Sequence, residues 1–256
     1  MSKLLRVVQV TDCHLQEAPD KVFKGCLPEE RLCKVLEDMV GRNLQPDLLL
    51  LTGDLVHHGY PQGYQRLAEH VQKVATEIRW LPGNHDDARH MSVFSELNLL
   101  QWRKHDWCVV SLDSTSSPDG KGSGSLGECE LQRLEAILQA PPSKYLLIAL
   151  HHPPVHVGSP WQDAICLGDK DAFWRILEDS KSSAAKLIVC GHLHQDHEVY
   201  NLPLPLLVTP ATAPQFKKAM LQPVLETDEY LSLPGYRVID LFESGEFSTQ
   251  VVRVVI

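Results

Sequence analysis

Residues 81–87 read LPGNHDD and follow directly on the apolar run Ile78–Leu81. Asn, Asp and Gly suit tight turns for local reasons, so the heptapeptide alone admits a plain solvated turn. The other reading is a buried strand that ends at Leu81 and delivers Asn84 and His85 to a site. The two separate on whether other strands end in the same way, and they do. Leu4–Val10 runs into TDCH, placing Asp12 and His14. Asp47–Thr52 ends in TGD, placing Asp54. Lys144–Leu150 runs into HHPP, with His151 and His152, and Lys186–Cys190 into GHLH, with His192 and His194. In open α/β sheets the ligand crevice lies beyond the carboxyl ends of the strands. Five ends carrying Asp, His, Asn and Gly therefore argue for a common site. Asp12 and His14 are two residues apart, as are His192 and His194, so in extended chain each pair points to one side.

Between these strands lie helical patterns. Pro28 to about Asn43 carries Leu32, Val35, Leu36, Met39 and Val40 on one face, with Pro28 suited to a first turn. Tyr64, Leu67, Ala68, Val71 and Val74 mark a second helix, and Asp169–Asp179 another. SLGE at 125–128 reads as a capping box opening a helix through Leu138. Trp107–Asp113 is a further strand. From about residue 198 the chain turns mostly β, with strands expected at Glu198–Leu202, Leu206–Val208, Tyr236–Phe242 and Phe247–Val255. The pattern predicts an α/β fold over a single domain, residues 1–256, with helices covering sheets and the last strands in a second sheet.

Composition narrows the function. A chain of 256 residues, 43% hydrophobic and 22% charged, is ordinary for a globular protein. No apolar run approaches the roughly 20 residues of a membrane span, and the N-terminus lacks a signal-peptide pattern. Seven scattered cysteines without a C-x-x-C pair predict free thiols and a cytoplasmic location. A formal net charge of −9 argues against a nucleic-acid partner, and an anionic substrate must be drawn by a local positive site.

The residue types at the strand ends are metal ligands: imidazoles, carboxylates and one amide oxygen. Mixed N/O donors suit Fe, Mn, Zn or Ni and argue against a structural cysteine–zinc site. Asp12, His14, Asp54, Asn84, His151, His192 and His194 are too many for one ion and suit two ions sharing a carboxylate. Two divalent ions about 4 Å apart repel by roughly 17 kcal/mol at an effective dielectric of 20. An anionic bridge must offset this, and Asp54, the lone carboxylate at its strand end, is the natural candidate. With a bridging hydroxide added, the site keeps an excess near +1, matched to a phosphodiester monoanion.

The blocks D-x-H, G-D, G-N-H-D, H-x-P and G-H-x-H, in this order over residues 12–194, resemble the calcineurin-like metallophosphoesterase superfamily. Within it, TDCHL, TGDLVHHGYPQGYQ, WLPGNHDD, GHLHQDHE and TPATAPQF are similar to the bacterial class III cyclic-nucleotide phosphodiesterases, in particular their proteobacterial cyclic-AMP branch. The resemblance implies a four-layer α/β/β/α sandwich of two mixed sheets flanked by helices. It implies one ion held by Asp12, His14, Asp54 and His194, and a second by Asp54, Asn84, His151 and His192, with Fe or Mn as the metals and Zn as an alternative. His14, Asp54, Asn84, His85 and His194 would then face the substrate, a small cyclic nucleotide, in a monomer or homodimer. The expected reaction is hydrolysis of 3′,5′-cyclic AMP to 5′-AMP by a metal-bridging hydroxide, with His85 as general acid and Asn84 also contacting the phosphate.

Two other readings stand beside it: a broader diesterase acting on 2′,3′-cyclic nucleotides, glycerophosphodiesters or nucleic-acid ends, and a non-catalytic metal-binding scaffold. One departure matters. Protein phosphatases of this superfamily carry Asp-Arg-Gly soon after the G-D, and the Asp that orients their catalytic His matches His57 here. That speaks against a protein phosphatase and leaves the partner of His85 open. His152, adjacent to His151, should face the other way and pack. His57 and His58 read equally as supports or as surface. Asp86 and His197 read as supporting or solvated, and Cys13 and Cys190 as packing residues.

Overall fold

The alternation of β1 (Lys3–Val10) sets the layering. Leu5 and Val7 point into one apolar cluster, Val8 and Val10 into another. β2 (Leu48–Thr52) does the same, with Leu48 and Leu50 on one face and Leu49 and Leu51 on the other. Strands buried on both faces are largely apolar, which is why these runs show no regular polar alternation; Arg6 and Gln9 are the polar residues of β1 after its first position. The computed structural model describes residues 3–256.

The first sheet has the order β11-β10-β1-β2-β3, with β3 at Ile78–Leu81, β10 at Gly235–Phe242 and β11 at Phe247–Arg253. β1, β2 and β3 run parallel, and β10 and β11 are antiparallel additions. The second sheet contains β4 (Gln101–Lys104), β5 (Trp107–Ser111), β6 (Tyr145–Ala149), β7 (Ala185–Cys190), β8 (His197–Val199) and β9 (Leu206–Val208), in the order β4-β5-β6-β7-β9-β8. Its core is parallel, and its edge strands β4 and β8 are antiparallel.

The sheets pack face to face through Leu5, Leu50, Trp107, Val109, Leu147, Val189 and Ile239. α1 (Pro28–Gly41) and α2 (Pro61–Val71) cover the first sheet with Leu32, Val35, Met39, Leu67 and Val71. α4 (Gly127–Gln139) and α6 (Lys170–Asp179) cover the second with Leu134, Leu138 and Phe173. The result is the expected four-layer α/β/β/α sandwich. Among the described residues, no helix is long and apolar enough to cross a membrane.

Three expectations need correction. The final strands do not all belong to a second sheet: β10 pairs with β1, and only β8 and β9 extend the other sheet. Chain order cannot decide this; β10 covers the otherwise open edge of β1 and sends Ile239 and Leu241 into the inter-sheet layer. α4 is not capped by Ser125. The Asp169 carboxylate accepts from the amides of Leu126 and Gly127, at 3.0 and 2.8 Å, so the cap comes from another part of the chain. β4 and the single-turn helices α3 (Ala88–Met91) and α5 (Pro160–Asp163) were not anticipated, being too short to show a period.

Register brings the strand ends into line. Val10 pairs with Leu51, and Leu51 with Trp80; in the other sheet Ala149 pairs with Val189. A buried amide ties the two sheets at this end. Gln9 donates to Thr52 Oγ1 (2.8 Å) and to the Cys190 carbonyl (3.0 Å), and accepts from Thr209 Oγ1 (2.6 Å). Gly191 allows the closest approach: a Cβ there would run into Thr11 Oγ1 and lie 2.8 Å from Asp12 Oδ2. Gly191→Ala should therefore cost about 1–3 kcal/mol, the usual penalty of overpacking. Gly41→Ala, with nothing within 4 Å of the added carbon, should leave the urea midpoint unchanged or slightly raised. Equal midpoints for the two variants would contradict this account of the sheet junction.

Candidate metal centre

The loops after the strands hold non-glycine residues in the left-handed region. Asp12, His14, Asp54, His192 and His194 have φ of 52°, 48°, 51°, 73° and 53°. Each such residue costs of order 1 kcal/mol and persists only where its surroundings impose it. This corrects the extended-chain expectation. Each i, i+2 pair converges because the backbone coils at both members. The coil is held across loops: the Asp12 amide donates to the Gly53 carbonyl (3.0 Å) and the His14 amide to the Asp54 carbonyl (2.9 Å).

The side chains then meet. Ligand atoms of Asp12, His14 and His194 lie within 4.8 Å of one another, as do those of Asp12, Asp54 and His151, and those of His151, His152 and His192. Asp54 stands between sets: its Oδ2 is 3.6 Å from His14 Nε2 and its Oδ1 is 3.4 Å from His151 Nε2. Asp12 Oδ1 is 3.6 Å from His194 Nε2.

Backbone carbonyls orient three of the imidazoles. His151 Nδ1–H donates to Thr52 O at 2.8 Å, His194 Nδ1–H to Pro214 O at 2.6 Å, and His192 Nε2–H to Ile165 O at 3.0 Å. A carbonyl only accepts, so the proton sits on the anchored nitrogen and the other nitrogen faces inward, the arrangement usual for metal-ligating histidines. Inward nitrogens crowd each other: His14 Nε2 and His194 Nε2 are 3.0 Å apart, and His151 Nε2 and His192 Nδ1 are 3.2 Å apart. His14 Nδ1 is in turn paired with His57 Nδ1 at 3.1 Å.

Burial drives the titration here. It holds His14 and His192 well below the usual imidazole range and lowers His194 to about 4. It pushes Asp12 up to about 7, with Asp54 adding to the effect. At His151 burial is outweighed by Asp54, which raises the ring to about 9, and the same pairing holds the Asp54 carboxyl well below its normal value. Buried carboxylates facing crowded acceptor nitrogens are short of positive charge. The Asn84 Oδ1 atom is buried with no hydrogen-bond partner. An orphaned oxygen beside such a donor set fits divalent cations.

His85 reaches the same cleft, with its amide donating to Asp54 Oδ1 at 2.9 Å. Its ring lies 4.4 Å from the ring of His57, the nearest imidazole not expected to bind metal, and 5.0 Å from that of His14. Burial lowers its pKa. His58 is exposed. His152 is fully buried: its Nε2–H donates to the Gly122 carbonyl (3.1 Å), and its Nδ1 pairs with Ser114 Oγ (2.8 Å). Cys13 and Cys190 are buried in apolar clusters on opposite sheets.

The structural centre of the second and third loops is Asp86. Its carboxylate accepts from the amides of Leu55, Val56 and Gly83 and from the Tyr64 hydroxyl, at 2.8–3.1 Å. Sequence pattern could not choose between this and a solvated Asp. The cleft walls were missed altogether: Phe23, Lys24 and Phe216 come from loops and Trp161 from the single-turn helix α5, segments too short or irregular to show a period. Asp86→Ala leaves several donors unpaired and should cost about 3 kcal/mol or more, whereas Tyr64→Phe removes one hydrogen bond and should cost about 1 kcal/mol. Denaturant titration of both variants, read beside metal content, checks this; equal small losses would mean that Asp86 does not organise the loops.

Comparison with known proteins agrees with this geometry. The calcineurin-like phosphoesterase family matches residues 5–196. The chain is 35% identical over 98% of its length to a 3′,5′-cyclic adenosine monophosphate phosphodiesterase, CpdA, of Vibrio vulnificus (strain CMCP6), covering 90% of that protein. It is 31% identical, over 98% of its length and 90% of the relative's, to the protein of the same name in Escherichia coli (strain K12). Among solved structures, a dimetal phosphatase from Danio rerio superposes with a TM-score of 0.63 at 13% identity, over 99% of this chain and 100% of that one, which speaks for the fold alone. With five strand ends converging on one donor set and this match, the chain belongs to the calcineurin-like phosphoesterase family.

Proposed function

We propose that this protein is a metal-dependent phosphodiesterase that hydrolyses 3′,5′-cyclic AMP to 5′-AMP, in a single domain spanning the described chain. The observation that carries the reading is Asp54, whose two oxygens each face an imidazole of a different set. Asp12, His14, Asp54 and His194 would hold one divalent ion, and Asp54, Asn84, His151 and His192 the other. The donor set of imidazole, carboxylate and amide oxygen suits Fe or Mn, with Zn an alternative. When bound, the ions supply Lewis acidity at the phosphoryl oxygens and a water of lowered pKa.

The chain's own groups do the rest. The orphaned Asn84 oxygen would bind an ion, leaving its amide nitrogen to face the phosphate. His85 is indexed to Asp54 through its own backbone amide. This fixes its ring at the cleft, where it protonates the departing 3′ oxygen. A lowered pKa makes it a stronger acid, present in smaller fraction at neutral pH. Lys24 and Lys121 line the cleft and supply a local positive charge that the net charge of −9 does not. The cyclic nucleotide follows from the relatives, whose names carry that substrate over nearly the whole of this chain. The seven scattered cysteines, without a C-x-x-C pair, favour a reducing compartment such as the cytoplasm.

Two outcomes test this. His85→Ala should keep both ions and lose about 10²–10⁴-fold in kcat on cyclic AMP, but much less on an aryl diester whose leaving group needs little protonation; equal losses would contradict the acid role. Chromatography of the products should show 5′-AMP alone, with 3′,5′-cyclic AMP preferred over the 2′,3′ isomer. A tenfold preference in kcat/KM for the 2′,3′ isomer, about 1.4 kcal/mol at the transition state, would move the assignment to a broader diesterase.

A further inference from the structure

We propose that Trp161 and Phe216 form the site for the heteroaromatic base of the substrate, with Lys24 closing over it; the inference rests on the cyclic-nucleotide reading above. The cleft beside the metal ligands has a volume of about 250 Å³. It is lined by the donor set and His85 together with the rings of Phe23, Trp161 and Phe216, with Phe23 stacked on His14 at 4.8 Å. Trp161 and Phe216 meet edge to face, with centroids 5.1 Å apart and planes at 74°. All three rings are only partly buried, so aromatic surface is open to the cleft.

These rings are held at fixed distance from the ligands. The Phe216 amide donates to the carbonyl of His194 at 3.2 Å, and its ring lies 5.1 Å from the His194 ring. Trp161 sits on α5, where its neighbour Gln162 donates to the Leu193 carbonyl at 2.6 Å, between His192 and His194. Ser159 Oγ accepts from the Ala219 amide at 2.7 Å, tying the two wall segments together. A corner so placed positions whatever it stacks relative to the phosphate, which is what a nucleoside-reading surface requires. The indole Nε1–H of Trp161 is buried without an acceptor, so the indole offers the cleft its ring and not this donor.

Lys24 completes the arrangement. It stands at the tip of a two-residue hairpin in which Phe23 and Cys26 exchange backbone hydrogen bonds at 2.9 and 3.1 Å. Lys24 and Gly25 take φ of 46° and 86°, as such a turn demands. The Lys24 ammonium lies 5.5 Å from the Phe23 ring centroid and 5.6 Å from that of Phe216, across the mouth of the cleft.

The test compares two diesters with the same reacting ring: 3′,5′-cyclic AMP, and methyl ribofuranoside 3′,5′-cyclic phosphate, which lacks the base. Wild type should favour cyclic AMP in kcat/KM. Phe216→Ala and Trp161→Ala should lower that preference by about 5- to 150-fold, the range for loss of one base–aromatic stack, chiefly through KM. Phe216→Leu, which keeps the apolar bulk, should lower it as well, showing that the flat ring matters. Lys24→Ala should lower kcat/KM for both diesters, which share the phosphate, and more for cyclic AMP, whose base Lys24 covers; an equal loss on both would remove Lys24 from the base site. A preference that survives both ring substitutions overturns the base site, as does a wild type that cleaves both diesters equally well. A wild type that cleaves neither, but hydrolyses other diesters, overturns the cyclic-nucleotide reading instead.

Discussion

The structure turns on a deficit of positive charge at one point. Asp54 lies between His14 and His151, Asp12 lies beside His194, and the inward nitrogens of neighbouring imidazoles stand 3.0–3.2 Å apart. Such a cluster is unfavourable in a buried place without cations. Asp54 outweighs burial at His151 and raises its ring to about 9. Two divalent ions would relieve the deficit. The costs elsewhere in the fold become intelligible on this footing. Five of the residues expected to bind the ions accept left-handed backbone, and Gly191 lets one sheet press against the Asp12 carboxylate of the other.

Labour is divided between sheets and loops. The parallel strands, locked in register and tied by Gln9, bring five chain ends to one edge of the sandwich. The loops add what strands cannot. Asp86 gathers the amides of the second and third loops, and carbonyls of Thr52, Ile165 and Pro214 set which nitrogen of each histidine faces the site. His152 holds the cleft-lining Gly122 through its Nε2–H while its ring packs 4.6 Å from that of His192. Scaffold and chemistry are thus coupled through backbone atoms, which is why a small shift at a sheet junction should be felt at the donor set.

Much of this was legible in the sequence because two signals coincided. Apolar runs such as Leu48–Thr52 mark strands buried on both faces, and polar residues immediately after them mark a crevice. The resemblance to the calcineurin-like phosphoesterases added the layer order. Sheet membership of β10 was not legible, since an antiparallel partner for β1 can come from any later part of the chain. The cap of α4 was hidden because its acceptor, Asp169, lies more than forty residues away. The left-handed backbone was not read: Asp and His are enriched at positive φ, but residue type alone does not say that Asp12 or His194 adopts it. The walls of the cleft were missed for the simplest reason: Phe23, Trp161 and Phe216 sit in aperiodic segments, where an aromatic ring reads equally as packing or as surface.

The central claim is that Asp54 is shared between two ion sites. Crystals of the protein reconstituted with Mn²⁺, measured above and below the manganese absorption edge, test it most directly. The account predicts two anomalous peaks about 3.5–4 Å apart, with Asp54 between them. One should lie against Asp12, His14 and His194, the other against Asn84, His151 and His192. A single peak, or two peaks with Asp54 bound to neither or to only one, would contradict it.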